Sequence, residues 1–238
     1  MGGMITPYGN PQNLYLYSYY NIPTEEFISI LLSQSVTVVL LLMICGFFIK
    51  NEKLKLRKKP KIIVSKIPLC IYIVLFVIVI LSIFRVIPNY ITLIIVLSTI
   101  LIVDRKRFKQ VDYALLATFC VFFVFSGNIA RIPAIKEIIS EIVVNNTLIA
   151  GIVSCQFISN VPTAIFLSKF TTNYRDLLIS VNIGSLGILI SSLASLITLK
   201  EFLKHQPKNF WNYLIKFTLV NTSFLVVLLG VTYILNML

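Results

Sequence analysis

Two apolar stretches, residues 151–170 and 177–200, are each long enough to cross a bilayer, yet each is broken in its middle by residues that a lipid-facing helix avoids. The breaks read Ser159-Asn160-Val161-Pro162-Thr163 and Asn182-Ile183-Gly184-Ser185-Leu186-Gly187. Water is absent at membrane depth, so backbone groups freed there must pair inside the protein or around a bound solute or ion. A chain with two such breaks is held to a fold of discontinuous helices turned toward a protein interior, and the breaks mark the place for a binding site.

That these stretches lie in lipid follows from composition. Hydrophobic residues make up 58% of the chain and the mean hydropathy is +0.92, against about 45–50% apolar residues in soluble domains. The net charge of +12 does not imply nucleic acid, because the basic residues sit in short loops between apolar runs rather than on one folded face. Cys45, Cys70, Cys120 and Cys155 each lie in an apolar run without a CxxC pair, which predicts buried free thiols. His205, the single histidine, reads as a solvated loop residue. The first twenty residues lack the basic start and apolar core of a cleavable signal.

Spans are expected at residues 27–49, 67–84, 90–103 and 113–129, followed by the two broken segments and a last span at 210–238. Lysines and arginines number fifteen in the loops 50–66, 104–109 and 200–208, against five in residues 1–24, 85–90, 131–147 and 168–176. The first set is therefore cytoplasmic. This orientation closes only if residues 146–170 enter and leave on the outer side, as a re-entrant hairpin with Asn160 and Pro162 near its tip. Residues 131–147, apolar at helical spacing, read as an interfacial helix leading into it.

The N-terminus repeats the order of the later broken segment: a glycine and asparagine break, an apolar half-helix, a loop, then an uninterrupted span. Gly2 falls over Gly184 and Leu14 over Leu196. With the topology above the two copies are inverted, an arrangement that places a transported solute near the bilayer midplane between them. The first copy has no hairpin before its break, which predicts that on the order of a hundred residues precede residue 1. The expected organisation is all-α: residues 1–49 end a first repeat, 50–66 form a cytoplasmic basic linker, and 67–238 form the second repeat, an incomplete inverted repeat in a polytopic membrane protein.

Half-helix N-termini offer amides and positive dipole ends to an anion, while unwound carbonyls with Ser, Thr and Asn oxygens suit sodium. Gln156, Ser159, Asn160 and Thr163 in the hairpin and Asn182, Gly184 and Ser185 in the broken helix supply such groups. Pro162 is expected to stop the helix, and Gly184 and Gly187 to permit unusual backbone angles.

The segments CQFISNVPTAIFLSKF, VNIGSLGILISSLASLI and TPYGNPQNLYLYS resemble those of the ion transporter superfamily, which holds citrate transporter-like permeases, divalent anion to sodium symporters and arsenite permeases. The resemblance implies an elevator-like carrier, assembled as a homodimer in the bilayer, whose hairpin tips contact a small anionic solute and a coupling ion, sodium or a proton. Carried over, Asn160, Pro162 and Thr163, with Asn10 and Asn13 from the first half, would bind the solute. Ser159, Asn160, Gly184, Ser185 and Gly9 would hold sodium. The Val161-Pro162 insertion before Thr163 is closer to the Asn-x-Pro hairpins of the citrate and arsenite branches than to the dicarboxylate symporters.

Three functions follow from these readings: a carboxylate carrier for a solute such as citrate, an arsenite or antimonite permease, and a non-transporting fragment or membrane subunit. A proton antiporter fits less well, because all nine acidic residues lie outside the apolar centres. The sequence holds no HExxH and no GxSxG, so an enzyme is not expected. Lys216, the one charge within a long apolar run, sits where it can snorkel to the cytoplasmic surface.

Overall fold

The computed structural model describes residues 2–48 and 66–237. The basic linker, apart from Lys66, lies outside the described residues. The chain forms two compact units, Met1–Ile44 with Leu115–Leu238, and Cys45–Ala114. Among the described residues every regular element is helical.

The smaller unit is a helical hairpin. Helices α3 (Lys66–Ile83) and α4 (Asn89–Val103) are uniformly apolar and join through a turn in which Arg85 takes φ of 63°. Ser82 Oγ donates to Asn89 Oδ1 at 2.9 Å across that turn. At about 1.5 Å per residue α4 falls short of a 30 Å hydrocarbon core, as its short apolar run predicts. A short 3₁₀ turn, Arg105–Gln110, follows it.

The larger unit begins with an irregular segment at residues 2–10 and two helices, α1 (Pro11–Tyr19) and α2 (Thr24–Phe47). It resumes with α5 (Tyr113–Ile129) and α6 (Pro133–Asn145), which meet at 102°. Proline at the first position of α6 forces the preceding Ile132 into an extended conformation, which ends one helix and redirects the next. Then come α7 (Thr147–Ile158), α8 (Asn160–Leu167), α9 (Tyr174–Ile183), α10 (Leu193–His205) and α11 (Phe210–Met237).

Long and broken helices are buried very differently. Among the described residues, α2, α3 and Pro207–Met237 are long and apolar enough to cross a membrane, and most of their side chains are exposed. The surface they show is apolar, as lipid requires. The core of the larger unit instead surrounds the broken segments: Leu177, Leu178, Val181 and Ile183 of α9, Ala164 of α8, Cys155 of α7 and Leu16 of α1 are all fully enclosed. From Leu177 to Ile183 helix α9 is buried on every side, so its apolar residues need no single face.

Two sequence expectations change. His205 is not a loop residue but the last residue of α10, with Lys204 at 2.6 Å and His205 at 3.7 Å from the Glu201 carboxylate. These pairs at helical spacing carry the helix one turn past the apolar run. The four cysteines are free thiols, but only Cys155 is buried within the protein; Cys70 and Cys120 lie on exposed apolar faces of α3 and α5.

Candidate functional site

The hairpin breaks at one residue. Ser159 takes φ of 72° and ψ of 159°, ending α7 and capping α8. Such a backbone in a non-glycine residue costs on the order of 1–3 kcal/mol and persists only where its surroundings hold it. Here the Ser159 N–H donates to the Cys155 carbonyl at 3.1 Å, and the Ser159 carbonyl accepts from both the N–H and the hydroxyl of Thr163, at 3.1 and 2.8 Å. Pro162 therefore does not stop a helix. It lies in the first turn of α8, where its missing N–H has no helical partner to lose.

The other break is longer than its sequence signal. Helix α9 ends at Ile183 and α10 starts at Leu193, with irregular chain and a 3₁₀ turn at Leu189–Ser191 between them. Gly184 packs against α7, where an added Cβ would lie 3.0 Å from the Ile152 Cα. Gly187 takes φ of 108°, and a Cβ there would collide with the Gln156 carboxamide. The backbones at the starts of the two half-helices match: Asn10 before α1 has φ −143° and ψ 149°, and Ser192 before α10 has φ −149° and ψ 137°, although only Ser192 caps its helix through its side chain, accepting from the Ala194 N–H. They stand in the register that sets Gly2 over Gly184.

Helix α1 packs against α8 and α9, which brings the N-terminal break to the second one. Asn182 is the bridge: its Nδ2 donates to Asn13 Oδ1 at 2.7 Å and to the Leu178 carbonyl at 2.8 Å, and its Oδ1 accepts from Asn10 Nδ2 at 3.4 Å. At the other end of α1, Tyr15 pairs with the Ser168 hydroxyl at 2.7 Å and Tyr20 donates to the Thr171 carbonyl at 2.7 Å.

A cavity of about 210 Å³ opens where these ends meet, lined by Asn10, Gln12, Asn160, Ser185, Ser192 and neighbouring apolar residues. The N-termini of α1, α8 and α10 each contribute residues to it. Among the described residues, none that lines it is charged. Such a site offers amide and hydroxyl donors with the positive ends of helix dipoles, and no fixed ionic partner.

Of the residues singled out in the sequence, Asn10, Asn160 and Ser185 line this cavity. Ser159 stands beside it, its hydroxyl 3.4 Å from both Asn160 Oδ1 and the Ser191 carbonyl. The others face elsewhere. Thr163 is buried behind the turn and Pro162 is covered in α8. Asn13 is turned toward the first break, where its Nδ2 reaches the carbonyls of Gly3, Met4 and Thr6 at 3.4, 2.9 and 3.2 Å. Gly9 closes that same turn, its N–H donating to the Thr6 carbonyl at 3.2 Å. The Gly184 carbonyl accepts from Gln156 at 2.8 Å. Ser192 and Gln12 line the cavity without having been singled out; the register of the repeat, which sets Ser192 over Asn10, carries the signal for the former.

A family model described as citrate transporter matches residues 1–174, taking in the first break and the hairpin. An uncharacterized transporter of Methanocaldococcus jannaschii is 35% identical over 84% of this chain and 54% of its own length. The inner membrane protein YbiR of Escherichia coli is 26% identical over 89% of this chain and 58% of its own. The chain thus spans a little over half the length of these curated relatives. No solved structure matches it. A multi-pass membrane protein with broken helices and a match over nearly three quarters of its residues, the chain belongs to the citrate transporter family.

Proposed function

We propose that this chain contributes the solute site of a secondary active carrier for a small anion, a carboxylate such as citrate, with uptake coupled to sodium or protons. The observation that carries the reading is the convergence of three half-helix N-termini on one uncharged cavity. Dipole ends and unwound amides bind carboxylate oxygens without a permanent countercharge, and a site that binds weakly can also release. Asn160 is the central donor. Its Oδ1 accepts from the Val161 N–H at 2.9 Å, which orients Nδ2 as the group offered to the solute. Asn10 and Ser192 face it from the two capped half-helices, and Ser185 from the break.

Uptake of labelled citrate into proteoliposomes holding the full-length protein tests the reading. Asn160→Ala should abolish uptake while membrane insertion is unchanged; uptake at the parental rate would reject the assigned site. A second reading, a permease for arsenite or antimonite, is favoured by one feature: among the described residues no cationic side chain lines the cavity, as suits a small neutral oxyacid. Arsenite resistance in cells, lost with the same substitution, distinguishes it from carboxylate uptake.

A further inference from the structure

The carbonyls of Gly184, Ser185, Leu186 and Ile188 in the second break already have side-chain donors. Gln156 Nε2 lies 2.8 Å from the Gly184 carbonyl, 3.0 Å from that of Leu186 and 3.3 Å from that of Ile152. The Ser191 hydroxyl lies 2.8 and 2.7 Å from the carbonyls of Ser185 and Ile188 and shares its one proton between them. Gln156 Oε1 in turn accepts from the Ile188 N–H at 3.2 Å. This last bond fixes the amide's orientation, because the reversed carboxamide would set its oxygen against three carbonyl oxygens and its NH₂ against an N–H.

An unwound segment within a membrane helix ordinarily turns its carbonyls toward a bound cation. Here an NH₂ group with its partial positive charge stands among them. We infer that the Gln156 carboxamide takes the place of a cation in the second break, so that Gly184 and Ser185 hold no sodium and the break keeps its shape without one. Gln156 is then a positioning residue: it touches no solute, but it fixes the segment that presents Ser185 and Ser192 to the cavity. The inference rests on the carrier reading for its meaning in transport, although its geometry stands apart from it. Gly187 belongs to the same device, since only a residue without a Cβ leaves room for the carboxamide at that backbone angle.

Both arms of the test use the full-length protein, as wild type, Gln156→Glu, Gln156→Ala and Ser185→Ala. Thermal unfolding midpoints are measured in sodium chloride and in choline chloride of equal ionic strength. Citrate uptake is measured in the same two salts. Any sodium-specific rise in the wild-type midpoint should survive Ser185→Ala unchanged, because the second break holds no sodium. Gln156→Glu, isosteric but with an oxygen facing three carbonyls, should gain a midpoint increase specific to sodium. Gln156→Ala should lose about tenfold in uptake, the equivalent of one net hydrogen bond to a buried carbonyl. A sodium-specific rise in the wild-type midpoint that Ser185→Ala removes would overturn the inference, as would a Gln156→Glu protein indifferent to sodium. Citrate uptake absent in every salt would count against the carboxylate reading alone, because the unfolding midpoints would still decide this one.

Discussion

In the first break, residues 2–10 ahead of α1, the carboxamide that gathers the freed carbonyls comes from Asn13, on the half-helix that the break itself leads into. In the second, residues 184–192 ahead of α10, it comes from Gln156, on the hairpin helix α7. Both breaks leave carbonyls that lipid cannot satisfy, and both answer with an amide. The first is closed from within its own segment. The second is closed from a neighbour, so the shape of its backbone depends on where the hairpin sits. Any movement of α7 relative to α9 would pull the donor from Gly184 and Leu186, and the break is thereby linked to the hairpin in a way that the first is not.

This comparison orders the expected effects of substitution. Asn13→Leu should be the most damaging, because it strips the Gly3, Met4 and Thr6 carbonyls and also leaves Asn182 Nδ2 without one acceptor. A loss of about 3–5 kcal/mol is expected from several buried groups at about 1–3 kcal/mol each, read as a fall in the unfolding midpoint in detergent. Gln156→Leu should cost about 2–3 kcal/mol on the same basis, and it should raise the accessibility of single cysteines introduced within residues 184–192 while leaving those introduced within residues 2–10 unchanged. A change in both segments would mean that the breaks share one network, contrary to the distinction drawn above. Gly187→Ala, which meets an unfavourable backbone angle and the Gln156 carboxamide, should cost about 2 kcal/mol. Ser191→Ala should cost about 1 kcal/mol, again visible in the midpoint. The smallest quantity is the most discriminating: in the Asn13→Leu, Gln156→Leu double variant any departure from additivity measures what passes between the breaks through Asn182, and it should stay below about 1 kcal/mol, whereas a larger coupling would join the two devices into one.

Much of this arrangement was legible in the residues. Both breaks, the hairpin and the register between Gly2 and Gly184 follow from runs of apolar residues and the polar or small residues that interrupt them, because lipid penalises each interruption heavily. The bend between α5 and α6 was legible only as a change from an apolar run to an amphipathic one. What could not be read was which polar group lines the cavity and which serves the backbone. Asn10, just before α1, and Asn13, in its first turn, stand three residues apart, and one lines the cavity while the other is spent on carbonyls of the preceding turn. Sequence spacing places both near the break but does not say where the chain before them folds back. Pro162 shows the same limit. A proline reads as the end of a helix, but a proline in the first turn of the next helix looks no different until the strained residue ahead of it, Ser159, is seen.

The central claim is that the two capped half-helices, beginning at Pro11 and Leu193, face one another across a single cavity. Cross-linking in membranes tests this most directly. In a background with the four native cysteines replaced, Asn10→Cys and Ser192→Cys are introduced together, and a short bifunctional thiol reagent is added, with a specific protease site in the 50–65 linker to reveal the bond. The account predicts that the two fragments stay joined after cleavage, and that the solute slows the reaction. Fragments that separate although both thiols are shown to react with a monofunctional reagent would contradict it.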